Sequence, residues 1–462
     1  MTDEHTTKSN PAEDQNAGIT AITVAGYKSI RDETTVRIRP LTVLAGPSNS
    51  GKSSAMQPLL LMKQTLEAVY DPGPLLLNGA NVRFGTAEQL FSRTRPGDSA
   101  ELFRIGLELY GQGNLSVMFK GSPDRRGLDI VETRLSGGEG IGEILMRPDM
   151  RHGEILGALP PLLREQYQSL VETGFAAKWS VRRDRCFLAF ELNPDLGDRG
   201  TPLLVQFCEA LNLAPGLSVE WFLRDLIHVP GLRGFPQRCH PCMPAYSSFP
   251  GTFDQYFATV ITRWQEENDP RFEALAENLR MLNLGGRVEA KRIGDTLVEI
   301  HAEGPGGRFS RTRGTMVNVA DAGFGLSQAL PLLTALLVAK PAQTVFVEQP
   351  ESHLHPKAQV AMAEILAEAV NRGAHVVVET HSPLILLAIQ TQVAEGRFDP
   401  DLVKLHWFRL NDEAVTEVST ADMDRHGAFG DWDADFADVE LEAESRYLHA
   451  LSKGRTREVP GT

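Results

Sequence analysis

The residues best equipped for chemistry are a glycine-bounded run, Gly46-Pro47-Ser48-Asn49-Ser50-Gly51-Lys52-Ser53-Ser54. Gly46 and Gly51 let the backbone curl so that successive N–H groups converge on phosphate oxygens, and a helix starting there adds positive potential. Lys52 has the reach for β- and γ-phosphates, and Ser53 can offer its hydroxyl to Mg²⁺. Such a loop needs a strand before it and a helix after it. Leu41-Thr42-Val43-Leu44-Ala45 reads as a buried strand, and Ala55 to Tyr70 has helical character. A glycine-rich turn with a chance Gly-Lys-Ser would not need both flanks.

A phosphate loop also needs a carboxylate at the end of a neighbouring strand to hold the water shell of Mg²⁺. Thr344-Val345-Phe346-Val347-Glu348 ends on one, and Gln349-Pro350-Glu351-Ser352-His353-Leu354-His355-Pro356 continues it. Val376-Val377-Val378-Glu379-Thr380-His381-Ser382-Pro383 puts His381 just past another strand end, where an imidazole could hydrogen-bond a γ-phosphate. Asp321-Ala322-Gly323-Phe324-Gly325-Leu326-Ser327-Gln328 opens a helix with glycines and a serine, a second potential phosphate cradle.

This ordered set resembles the ABC-type ATPases of the RecF, SMC and OLD group, in particular compact AAA-family members of bacterial anti-phage defence and DNA maintenance. The resemblance covers about residues 19–54 and 319–387, and extends to Val229-Pro230-Gly231-Leu232-Arg233-Gly234-Phe235-Pro236-Gln237-Arg238 and Phe249-Pro250-Gly251-Thr252-Phe253. It implies an α/β fold, a two-lobed ABC-type P-loop ATPase head with a mixed sheet and a helical and β insertion between the lobes. It implies ATP and Mg²⁺ as ligands, Glu348 as the strand-end carboxylate, Gly325-Leu326-Ser327-Gln328 as the signature segment and His381 as the switch histidine. In such ATPases two heads enclose two ATP molecules, the signature of one facing the phosphate loop of the other. One chain here carries one set, which implies a homodimer or a higher assembly.

One position departs from the family pattern. The residue after the Mg²⁺ carboxylate is usually a glutamate that polarises the attacking water, and here it is Gln349. An amide can orient water but cannot accept its proton at pH 7. Either Glu351 or His381 serves as the base, or hydrolysis is slow and the ATP-bound dimer is long-lived. The resemblance implies control of a separate effector, expected to be a nuclease, since too little sequence follows Pro383 for a Toprim domain. The alternative is a scaffold that binds ATP, barely hydrolyses it and sequesters a toxic partner. A membrane-transport ATPase subunit fits less well, because the Glu348 to Pro356 segment does not look like that branch.

The elements that must position these groups are spread over 462 residues, enough for more than one lobe. Residues 1–17 read as a flexible tail, 18–120 as the first ATPase lobe, 121–310 as a middle insertion, 311–425 as the second lobe, and 426–462 as an acidic C-terminal segment ending in a short helix over 440–451. Helices are expected over 153–173, 201–213 and 252–284, with sheet at 81–85, 102–109 and 288–300. The composition, 42% hydrophobic and 23% charged, is that of a soluble globular protein. A net charge of −14 argues against indiscriminate nucleic-acid binding. Four cysteines fit a reducing cytoplasm. The richest apolar run, Leu326 to Ala339, is broken by Ser327, Gln328 and Pro331, so no membrane span is expected, and the polar N-terminus is no secretory signal.

Other candidates have plainer explanations. Cys239-His240-Pro241-Cys242 has metal-knuckle spacing but no second ligand pair, and reads as a loop. The basic groups Arg182, Arg183 and Arg185, Lys291 and Arg292, and Arg308, Arg311 and Arg313 read as solvated strand edges, or else as a DNA groove whose binding would fall steeply with salt. Arg233 serves either a phosphate or partner, or its own loop. Gln89 reads as a surface helix residue rather than a Mg²⁺ sensor, and His353 and His355 as part of the dimer face rather than as zinc ligands.

Overall fold

The strand that carries the phosphate loop, Leu41–Ala45, is buried along its whole length. In the computed structural model it lies inside a six-stranded sheet ordered Ile227–Val229, Thr344–Glu348, His375–Thr380, Leu41–Ala45, Val403–Leu410, Thr416–Asp422. The structure describes residues 18–430 except 96–97, 112, 123–126, 138–141, 173, 175, 195–212, 215, 244–247 and 304–315. The first five strands pair in parallel and the last is antiparallel. Parallel strands covered on both faces read as unbroken apolar runs, as these do.

Successive side chains point to opposite faces, so each strand feeds two cores. Leu41, Val43, Val345, Val347, Val376 and Val378 enter one core, and Leu44, Phe346, Val377 and Phe408 enter the other. The first core takes in the helices Phe257–Glu267, Pro270–Met281, Phe324–Val338, Pro356–Asn371 and Pro383–Ala394. The second takes in the helix Lys52–Glu67 and a six-stranded antiparallel sheet ordered Thr34–Arg37, Ile19–Ala25, Leu102–Leu109, Gly113–Ser122, Gly127–Ser136, Ile144–Met146. That sheet runs past residue 120, where the sequence suggested a boundary, because Leu128, Ile130, Leu135, Ile144 and Met146 bury into the same core as Leu107 and Val117. The loop-bearing strand lies in a sheet built mostly from the C-terminal half of the chain.

Several elements are shorter than expected, each for a local reason. The helix over 153–173 is two, His152–Ala158 and Pro161–Glu172. Leu159 between them is extended (ψ 144°), as a residue before proline prefers. The helix over 252–284 divides where Asn268 turns left-handed (φ 53°) and Pro270 lacks a donor. The 288–300 stretch is a hairpin, Val288–Arg292 with Leu297–Glu303, in a sheet that also contains His240–Pro241 and Met316–Asn318. Residues 81–85 form no strand; only an isolated bridge joins Asn78 to Arg83. The helices drawn over 201–213 and 440–451, the tail, most of the acidic C-terminal segment and Arg308, Arg311 and Arg313 lie outside the described residues, apart from Leu213. Among the described residues no helix is long and apolar enough to cross a membrane.

Candidate nucleotide site

The parallel register assembles the site. Glu348 pairs with Glu379 and Thr380 with Ala45, so the acidic strand end, the Thr-His turn and the phosphate loop open at one carboxyl edge of the sheet. This is where open α/β sheets bind ligands. Gly46 has φ 141°, and a Cβ there would stand 2.2 Å from the Phe408 carbonyl oxygen. Gly51 has φ 100°, and its Cβ would stand 2.3 Å from Thr416 Oγ1. Both positions therefore demand glycine. Pro47, Ser48 and Asn49 are exposed at the tip, whereas Ser50 and Ser54 are buried. Thr416, on the last strand, braces the loop by donating to Ser50 O (3.0 Å) and sharing a 2.8 Å hydroxyl contact with Ser29.

Lys52 Nζ reaches across the loop to Gly46 O (2.9 Å), Pro47 O (2.6 Å) and Ser50 Oγ (3.4 Å). Burial pulls its pKa below the ordinary lysine value, against the charges of Glu379 and Glu351. Ser53 Oγ donates to Glu379 Oε1 at 2.8 Å. Glu379 is 4% exposed, and its second carboxylate oxygen is buried without a partner. Burial pushes this carboxyl up to about 7; the Ser53 hydrogen bond opposes the rise and the charge of Glu348 adds to it.

Glu348 is held differently. Its Oε1 meets His228 Nε2 at 3.1 Å, and its Oε2 accepts from Gly231 N at 3.0 Å. His228 in turn meets Asn81 Oδ1 at 3.1 Å and stacks on Phe346. Burial works to raise the Glu348 carboxyl, but His228, Gly231 and Arg233 outweigh it and hold it below its usual value. Gln349 is left-handed (φ 46°), and its N–H donates to Glu379 O at 2.7 Å. Glu351 accepts from Thr380 Oγ1 (2.9 Å) and His381 N (2.7 Å), so both of its oxygens are engaged in holding the Thr-His turn. Burial and then the Lys52 charge lower the pKa of His381, against Glu351 and the Gly46 backbone, favouring a neutral ring.

The segment Gly325 to Gln328, expected to be the signature, bonds elsewhere. Among the described residues no hydrogen bond joins Gly325, Ser327 or Gln328 to the loop 46–54 of the same chain. Ser327 Oγ donates to Phe324 O at 3.0 Å. A Cβ on Gly325 would lie 3.0 Å from His353 O, so helix and loop touch closely there. Gln328 is turned inward: its Oε1 accepts from Arg233 N (3.1 Å) and its Nε2 donates to Gly234 O (3.0 Å). Arg233 is buried and serves its own chain, donating to Gln328 O, Glu348 O and Gln349 O at 3.2, 2.8 and 3.3 Å.

Several of the remaining candidates make local contacts. His355 caps the helix that begins at Pro356. Gln89 Oε1 accepts from Gly85 and Thr86 within a short capped turn. Among the described residues no three His, Cys, Asp or Glu side chains form a metal cluster, Cys239 and Cys242 included. Arg182, Arg183 and Arg292 pair with Glu191, Asp71 and Glu266, and Arg185 bonds the Tyr70 carbonyl.

A magnesium ion suits the oxygen donors at the loop: a serine hydroxyl, carboxylates and a buried carboxylate oxygen that lacks a partner. Sequence reasoning gave no role to Glu379, His228 or Thr416. The signal for Glu379 was present, since both Val347-Glu348 and Val378-Glu379 end apolar runs on a glutamate.

Residues 247–388 match the family model described as AAA domain, putative AbiEii toxin, Type IV TA system. No curated protein matches the chain. Similar solved structures include an SmcHead bound to the C-winged helix domain of ScpA, with 12% identity over 88% of this chain and 98% of that one and a TM-score of 0.44. An Smc head with an extended coiled coil bound to the C-terminal domain of ScpA from Pyrococcus furiosus has 12% identity over 94% and 99%, with a TM-score of 0.41. The SMC head domain from Thermotoga maritima has 12% identity over 88% and 100%, with a TM-score of 0.35. The matched AAA segment spans the helix from Phe324, the acidic strand and the Thr-His turn, and the phosphate loop opens beside them at the same edge of the sheet.

Proposed function

We propose that this chain is a slow ATP-driven switch that closes with a second copy of itself around ATP and Mg²⁺ and controls a separate effector, a nuclease, in genome defence or DNA maintenance within the cytoplasm. The observation that carries the reading is the convergence of Lys52, Ser53, Glu379 and His381 on one loop, tied by the Ser53–Glu379 bond at 2.8 Å, with His381 beside Lys52 and the Gly46 backbone.

The backbone of 46–51 and Lys52 would bind the phosphates, which would replace the carbonyls Lys52 now bonds. Magnesium, held by Ser53 and a strand-end carboxylate, would supply neutralisation of the phosphate charge. His381 presents an imidazole beside Gly46, anchored from behind by Glu351 through its backbone N–H. Gln349 orients water without taking its proton. Ser327 and Gly325, which make no hydrogen bond to this loop among the described residues, support a composite site in which they arrive from a second subunit and complete the phosphate shell.

Steady-state turnover of the wild type, Gln349→Glu and Glu351→Ala tests the reading. A slow wild type, a faster Gln349→Glu and an impaired Glu351→Ala are expected. Sedimentation with a non-hydrolysable analogue should show a nucleotide-dependent dimer; a monomer at all nucleotide concentrations would sink the two-headed switch.

A second reading, a scaffold that binds ATP without turning it over and sequesters a toxic partner, is favoured by two observations. Gln349 stands at the usual base position, and Glu351 has both oxygens engaged. The matched family's description, naming a putative toxin of a type IV toxin–antitoxin system, also supports it. Nucleotide binding without measurable hydrolysis would select it.

A further inference from the structure

The two strand-end glutamates are neighbours in register, yet the fold gives them different partners. Glu348 spends both oxygens on the far side of the site, on His228 and the Gly231 N–H. Glu379 faces the loop: one oxygen takes the Ser53 hydroxyl, and the other is buried with nothing to bond. An unpartnered buried carboxylate oxygen is costly, and a cation beside it would remove the cost. The strand His375–Thr380 also lies next to the loop strand Leu41–Ala45, whereas Thr344–Glu348 lies one strand further away.

We propose that Glu379, together with Ser53, supplies the protein's carboxylate contact to magnesium, and that Glu348 acts as a positioning residue locked onto His228 and Gly231. This rests on the reading of the loop as a nucleotide site. The reassignment follows from adjacency: the carboxylate already bonded to the Ser53 hydroxyl is the one that can share a cation with it. His228 and Gly231 would then keep Glu348 from competing for the cation while its charge lies beside Glu379. Gln349 completes the arrangement by donating its backbone N–H to Glu379 O, which fixes the strand end.

The test uses the full chain and Mn²⁺ as the probe, read by the loss of its free electron paramagnetic resonance signal in the presence of a non-hydrolysable ATP analogue. Analogue affinity in EDTA is measured in parallel. Glu379→Gln, which keeps the size and an acceptor for Ser53, should weaken Mn²⁺ by about tenfold or more, with analogue affinity in EDTA equal or tighter because a negative charge is gone. Glu348→Gln should weaken Mn²⁺ by less than about threefold, as expected of a group bonded elsewhere. Glu379→Asp, which withdraws the carboxylate by one methylene, should fall between wild type and Glu379→Gln, and it carries the test if Glu379→Gln does not fold. Wild-type Mn²⁺ affinity in Glu379→Gln or in Glu379→Asp, or a larger loss in Glu348→Gln, overturns the assignment while leaving the nucleotide site intact. A wild type that binds no analogue with Mn²⁺ or in EDTA overturns the nucleotide site and this inference together.

Discussion

Arg233 joins the helix Phe324–Val338 to the end of the strand Thr344–Glu348. Its guanidinium donates to Gln328 O, Glu348 O and Gln349 O, and its backbone N–H donates to Gln328 Oε1. The side chain is 5% exposed, and burial lowers its pKa to about 10 despite the charges of Glu351, Glu348 and Asp254. That depression is a cost of about 3 kcal/mol at about 1.4 kcal/mol per unit. Charge-assisted bonds to three carbonyls, each contributing about 1.5–3 kcal/mol, exceed it. Arg233→Ala forfeits the bonds and opens a cavity, while recovering the desolvation cost, so a net loss of about 3 kcal/mol is expected. Arg233→Met, which fills the space without a charge, should lose less. Arg233→Lys keeps the charge but not the fork, and should resemble Arg233→Ala more than wild type. Urea unfolding followed by circular dichroism reads these differences through the midpoint, because a chain with two cores need not unfold in one step. An Arg233→Ala midpoint within the equivalent of about 1 kcal/mol of wild type would refute the reasoning, since that is the size of an ordinary surface change.

Three further outcomes follow from the same geometry. Lys52→Ala should weaken binding of a fluorescent ATP analogue by about a hundredfold or more while leaving the thermal midpoint within a few degrees, because a buried ammonium that faces phosphate serves the ligand more than the fold. Gly46→Ala should lower both the midpoint and the affinity, since its methyl would press on the Phe408 carbonyl from a left-handed backbone; normal melting would contradict the close approach. His406 is buried between Thr420 Oγ1 and Arg37 O, and burial lowers its pKa to about 4. A histidine with a depressed folded value binds its proton less readily than in the unfolded chain. Its stabilisation is therefore full above about pH 6.5 and is lost as pH falls towards 4, by about 3 kcal/mol in all. His406→Gln should flatten that part of the stability–pH curve, and an unchanged slope would show that other groups carry it.

How much of this was readable in advance depended on the range of each contact. The loop 46–54 declared itself because its geometry is local: two glycines, a lysine and a serine between a buried strand and a helix. Glu348 and His381 were legible because each follows an apolar run, and the parallel register then did the rest. The pairings that the sequence does not show act across long separations. Ser53 and Glu379 are 326 positions apart, Thr416 and Ser50 are 366 apart, and Arg233 lies 115 from Glu348. A single sequence contains no mark of such pairings, since each residue alone is a common loop or strand-end type. Element boundaries failed for a different reason. Leu159 before Pro160 and Asn268 before Asp269-Pro270 interrupt helices whose apolar periodicity alone would have carried on.

The relation between Glu348 and Glu379 shows why motif position and chemical position can part. A motif locates a residue on a strand, but which strand lies against the loop is decided by sheet order, and here the order puts His375–Thr380 between the acidic strand and the loop strand. Two carboxylates at adjacent strand ends repel, so they cannot both remain charged without separate counter-partners. The fold supplies one of them with His228 and a backbone N–H, and leaves the other facing Lys52 and Ser53. Unequal provision for neighbouring like charges is how a site assigns them different work, and the carboxylate left without a full set of partners is the one placed to act.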